Sequence, residues 1–220
     1  AGANECLNAH SQANPDTAGM GATVVVPVFY RNQLNWISIG DSPLYLLRDG
    51  EIEQLNEDHS LAPQIDLMVD AGLLSAEIAR NHPDRSCLTS VLIGEHIEKI
   101  DCPETPLVLR DGDIVVAASD GLQTLTNSDI RDTVLENIEG GSNQIADALL
   151  EEVIAEGDPN QDNISFCVIM ANSLSPVGHA TRPISRRRRT AEIVPIKPRE
   201  PQVPVEDIAM VSAKGGTTID

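Results

Sequence analysis

Residues 23–55 constrain the fold more than any other stretch. Residues 23–31 are apolar and β-branched, Asn32-Gln33 makes a tight turn, and residues 34–39 resume the same character. Gly40-Asp41-Ser42-Pro43 breaks that run. Two more short runs, 44–48 and 52–55, then flank Asp49-Gly50, a strong two-residue hairpin signal. Runs this short, joined by turns this tight, pair antiparallel, so the stretch reads as an antiparallel meander.

The remainder up to residue 171 mixes both periods. Residues 3–13 read as the end of a helix, and 62–71 as a helix that Gly72 stops. Ser75 caps a short second helix. Residues 86–93 and 98–100 return to strand character, and Asp111-Gly112 turns into a strand at 113–118. A helix at 129–138 takes Ser128 as its cap. Ser142 caps a clearer one, with Ile145, Leu149 and Val153 on one face and Gly157 just past its end. The last strand is 164–170. Strands, then helices, then strands make an α+β domain with mostly antiparallel sheet.

After residue 171 the pattern dissolves. Residues 172–220 carry six prolines from Pro176 to Pro204 and the run Arg186-Arg187-Arg188-Arg189. No amphipathic period there is long enough to build a core, so the expectation is a disordered, basic, Pro-rich tail. The arginine run, followed by Thr190, reads as a solvated charge run, a patch for an anionic partner, or a basophilic kinase site.

Composition excludes several function classes. Net charge is −19, concentrated in residues 1–171, which argues against a nucleic-acid surface on the body. Aromatics are 2%, too few for a stacking platform, so the core rests on Ile, Leu, Val and Ala. Cys6, Cys87, Cys102 and Cys167 are scattered without zinc-type spacing and read as free thiols in a reducing, cytoplasmic compartment. No segment reaches the roughly 20 apolar residues of a membrane helix, and no secretory signal is visible.

Two acidic words remain. The apolar run 114–118 ends in Ser119-Asp120-Gly121, and Asp162-Asn163 opens the run 164–170. Antiparallel neighbours would bring both aspartates to one sheet edge, where they repel unless a cation or a shared proton sits between them. Asp41 is a third strand-ending aspartate. Each alone also suits an ordinary turn, as Asp49-Gly50 and Asp111-Gly112 illustrate. Together they have the right chemistry for magnesium or manganese, which want about six oxygens, and the wrong chemistry for zinc. His59 reads as a loop histidine packed against its neighbours. Ser119 lacks a nucleophile-elbow pattern, so covalent serine catalysis is not expected.

The order of these words is more specific than any one. Gly19-Met20-Gly21-Ala22-Thr23, Gly40-Asp41-Ser42, Leu44-Tyr45-Leu46, Asp58-His59-Ser60, Ala118-Ser119-Asp120-Gly121-Leu122 and Asp162-Asn163-Ile164-Ser165 follow one another across residues 19–170. In that order they resemble the PP2C-like metal-dependent Ser/Thr protein phosphatases, the PPM family. The resemblance implies a sandwich of two antiparallel β-sheets flanked by helices, with a binuclear Mn²⁺ or Mg²⁺ centre at one end. It matches Asp120 and Asp162 to metal ligands and Asp41 to an accessory one. It places a variable flap at residues 61–85. It implies hydrolysis of phosphoserine and phosphothreonine in a phosphorylated protein by a metal-activated water, without a phosphoenzyme.

The departures matter as much. The family carries an acidic motif and an Asp-Gly motif ahead of the Gly-Met-Gly segment, including a bridging aspartate and a phosphate-contacting arginine. Residues 1–18 hold only Glu5 and Asp16 as acids, and neither matches. The expectation is therefore a partial phosphatase domain at 1–171, its N-terminal part lying outside this sequence. Two alternatives stay open: a catalytically inactive pseudophosphatase that binds a partner, and a regulatory module working through its basic tail.

Overall fold

A computed structural model describes residues 2–159, 161–172 and 209–213. In chain order its helices and strands are α1 (Gly2–Ala13), β1 (Val24–Tyr30), β2 (Gln33–Ile39), β3 (Leu44–Arg48), β4 (Glu51–Gln54), α2 (Ala62–Asp70), α3 (Ala76–Arg80), β5 (Leu107–Val108), β6 (Ile114–Ala118), α4 (Asn127–Asn137), α5 (Gly141–Glu156), β7 (Ile164–Met170) and β8 (Ala209–Ala213). They form two antiparallel sheets, one in the order β1-β2-β5 and the other β4-β3-β6-β7-β8. This is the α+β sandwich that the sequence implies.

The meander, however, is two hairpins in different sheets. β1 pairs with β2, while β3 pairs with β4 and β6. The chain changes sheets at Gly40-Asp41-Ser42-Pro43, where positive φ at Gly40 and the ring of Pro43 end one ladder before the next begins. Nor do residues 86–93 and 98–100 form strands. Residues 86–93 contribute isolated bridges, Ala22 to Leu92 and Ser60 to Leu88, and Ser38 bridges Asp101 just past 98–100, because no continuous ladder partner runs alongside them. At the helix starts, Thr126 rather than Ser128 caps α4, in a capping box with Asp129. Gly157, left-handed at φ 63°, closes α5 as expected.

Composition assigns all of residues 172–220 to a disordered tail, and at 209–213 that expectation does not hold. Those residues form β8 and pair with β7, Val168 opposite Ala209 and Ile164 opposite Ala213. Main-chain pairing at an open sheet edge recruits a strand without any long apolar period. The arginine run 186–189 and Thr190 lie outside the described residues.

The core explains why β3 and β6 read as unbroken apolar runs. Tyr45, Leu47, Ile114, Val116 and Ala118 point to one face, against Ile130 and Val134 of α4 and Ile145, Leu149 and Val153 of α5. Leu44, Leu46, Val115 and Ala117 point to the other, against Leu34 of the three-stranded sheet. Both faces are buried, so the period of two vanishes. Each wholly buried aliphatic side chain contributes about 1.5–3 kcal/mol, enough to hold β6 rigid where it delivers Asp120.

Candidate metal centre

β6 and β7 set the first half of the site. Their register, Ala118 opposite Phe166, brings the end of one beside the start of the other. The ladder continues past them: Ser119 N–H donates to Ser165 O at 2.8 Å, and Ser165 N–H donates to Ser119 Oγ at 3.0 Å. Asp120 and Asp162 therefore meet at one sheet edge, as the sequence reading requires. Gly121 lets the two turns touch. A Cβ there would lie 2.6 Å from Asn163 O, a backbone atom that cannot give way. Gln161 bolts the turns together. Its Nε2 donates to Gly121 O and to Asp162 O, both at 3.0 Å, and its Oε1 accepts from Thr124 Oγ1 at 2.6 Å.

Asp41 comes from the sheet-changing turn. Gly40 sits at φ +103°, and a Cβ on it would lie 2.6 Å from Thr23 Cβ. Buried Asn56 fixes the far side of the turn, accepting Leu44 N–H at 2.7 Å and donating to Ser42 O at 3.0 Å. Ala118 N–H donates to Pro43 O at 3.0 Å, tying the turn to the strand that carries Asp120. Asn56 and Gln161 left no sequence signal beyond being polar residues beside strands. His59 is buried beneath this turn, as a packed loop histidine should be.

The carboxylates press on one another. Asp41 is pushed up to about 6, first by burial, then by the charge of Asp120, with Asp58 adding to both. The Asp120 carboxyl is also raised, first by burial and then by Asp162. Asp41, Asp58 and Asp120 line an open cleft of about 1180 Å³, floored by Tyr45. Arg80 and Arg85, at the end of the segment 61–85, stand on its rim. Arg85 is engaged by Asp66 through two bonds, at 2.7 and 2.9 Å.

These residues fit a hard divalent cation in donor type and in charge, since a cation would relieve the repulsion that raises both carboxyls. The charge of Asp120 helps raise Asp41, and the charge of Asp162 helps raise Asp120. Among the described residues, however, no three or more His, Cys, Asp or Glu side chains converge as a ready cage. Nor is any helix among them long and apolar enough to cross a membrane.

No protein-family model matches the chain. It is 33% identical over 166 residues to the serine/threonine protein phosphatase PstP of Mycobacterium tuberculosis, covering 75% of this chain and 30% of that one. The chain thus spans less than a third of that relative's length. Its structure is similar to that of the PPM Ser-Thr phosphatase MsPP from Mycobacterium smegmatis in complex with cacodylate, at TM-score 0.54 and 31% identity, covering 76% of this chain and 68% of that one. It is also similar to the catalytic domain of a PstP in complex with two manganese ions, at TM-score 0.57 and 29% identity, covering 75% of this chain and 64% of that one.

Proposed function

The chain belongs to the PP2C-like metal-dependent Ser/Thr phosphatases of the PPM family, and on that premise we propose that it hydrolyses phosphoserine and phosphothreonine in phosphorylated proteins with Mn²⁺ or Mg²⁺. One observation carries the reading: the β6–β7 register sets Asp120 beside the turn that carries Asp162, and Asp120 shares one cleft with Asp41. These three would hold the cation, with water completing its oxygens. When bound, the cation supplies a positive field for the phosphoryl oxygens and an acidified water.

The chain's own residues do the rest. Gly121 and Gln161 keep the Asp120 and Asp162 turns in contact through their main chains. Arg80 puts positive charge at the mouth of an otherwise acidic cleft, where a phosphorylated chain must enter. Among the described residues, neither Ser119 nor Cys167 near these turns is primed to attack phosphorus itself. The Ser119 hydroxyl is engaged by Ser165 N–H. Burial pushes the Cys167 thiol up, away from the reactive thiolate. Direct attack by water agrees with both. The four free cysteines support the same reading's cytoplasmic location.

Phosphopeptide hydrolysis in manganese, compared between the parent chain and Asp120→Asn, tests this. The variant should keep the fold and lose turnover, and equal rates would refute the assignment. The lack of three converging ligands among the described residues favours a second reading, an inactive partner-binding relative. Calorimetric titration separates the two: no uptake of millimolar Mn²⁺ by the parent selects the inactive form.

A further inference from the structure

We propose that His59 is a positioning residue of the metal centre, holding the Asp41 turn through its Nδ1 atom; this rests on the metal-site reading above. Residue 59 satisfies both main-chain groups of Gly40. Its own N–H donates to Gly40 O at 3.1 Å, and Gly40 N–H donates to His59 Nδ1 at 3.2 Å. Gly40 is the residue before Asp41, and Thr23 already closes its other side. The turn is therefore gripped between Thr23 and the imidazole, and Asp41 inherits its direction from that grip.

The state of the ring follows from the same bond. A nitrogen that accepts from Gly40 carries no proton, so the proton of the neutral ring sits on Nε2. That Nε2 is buried and has no hydrogen-bond partner, and Glu57 Oε2 stands 3.7 Å away, beyond a bond. A ring kept only for packing is poorly served by an unmet buried donor, because a leucine would fill the space without one. What imidazole alone supplies here is the acceptor facing Gly40.

The same residue also reaches the far end of the segment 61–85. Its carbonyl accepts Thr89 N–H at 2.7 Å, just beyond Arg85. His59 thus joins the Asp41 turn to the base of the segment that walls the cleft. Partners that orient a metal ligand typically change metal affinity about 10–100-fold when lost.

The test uses the 220-residue chain with His59→Leu and His59→Asn, since an asparagine Oδ1 can replace Nδ1 as acceptor. Readouts are calorimetric Mn²⁺ affinity and hydrogen exchange at the Gly40 amide. His59→Leu should weaken Mn²⁺ about tenfold or more and speed Gly40 exchange, with His59→Asn recovering much of both. In an Asp41→Ala background His59→Leu should weaken Mn²⁺ no further, because the effect runs through Asp41. Unchanged affinity in a folded His59→Leu chain, or equal losses in Leu and Asn, would overturn the proposal. Should His59→Leu not fold, nitrogen NMR of the parent ring decides: the proton on Nε2 supports the proposal and the proton on Nδ1 refutes it. None of these readouts needs turnover. A chain that binds Mn²⁺ through Asp41 yet hydrolyses nothing therefore counts against the phosphatase reading and leaves the role of His59 standing.

Discussion

Replacing Asp41 with asparagine should stabilise the metal-free protein while weakening its response to manganese. The Asp41 carboxyl is raised from 3.8 to about 6, by burial first and by the neighbouring Asp120 charge second. At neutral pH the folded chain must still ionise it against both effects. At about 1.36 kcal/mol per unit the penalty has a ceiling of about 3 kcal/mol. Asp41 is only half-buried, and solvent screening brings the figure to roughly 1–2 kcal/mol. Asparagine has the same shape and never ionises, so Asp41→Asn should recover that amount in the absence of metal. The sign fixes the pH profile. The folded value lies above the unfolded one, so the contribution is fully present below about pH 3.8 and is lost as pH rises through about 6. Urea denaturation in EDTA should therefore show the parent losing stability across that window relative to Asp41→Asn. With millimolar Mn²⁺ the gap should narrow or reverse, because the cation stabilises more the chain that binds it more tightly. A variant no more stable than its parent without metal, or stabilised equally by Mn²⁺, refutes the argument.

Two further outcomes follow from the geometry. Gly121→Ala should fold but lose Mn²⁺ binding in calorimetry, because the new Cβ meets Asn163 O at 2.6 Å and forces the Asp120 and Asp162 turns apart. Asp113→Ala should lose about 3 kcal/mol in urea denaturation, the lower end for breaking a buried pair. Asp113 is 2% exposed and binds Arg48 at 2.9 and 2.6 Å, with Arg110 N–H at 2.7 Å. Asp113→Asn should lose less, since it keeps the shape and part of the bonding.

Much of the fold was legible from local physics. Helices α1, α2 and α5, the turn at Gly157 and the strands β6 and β7 all carry a period or a terminating residue that acts over a few positions. The errors have one cause. Whether β2 pairs with β3, whether residues 86–93 find a ladder, and whether 209–213 joins an edge all depend on partners far away in sequence. Polar Asn56 and Gln161 were silent for the same reason, since their partners lie in other turns.

The sequence by itself supplied the candidate ligands: three aspartates, each following or opening an apolar run, in an order that resembles the PPM phosphatases. Asp120 and Asp162 would meet only if their strands were antiparallel neighbours, and it was the β6–β7 pairing in the fold that made them so. The tertiary structure alone decided that Asp120 couples to both of the others, since Asp41 reaches it only where the chain crosses between sheets. It also decided what His59 does. A histidine's identity does not say which of its nitrogens faces a backbone amide; that depends on the packing of a turn 19 residues away.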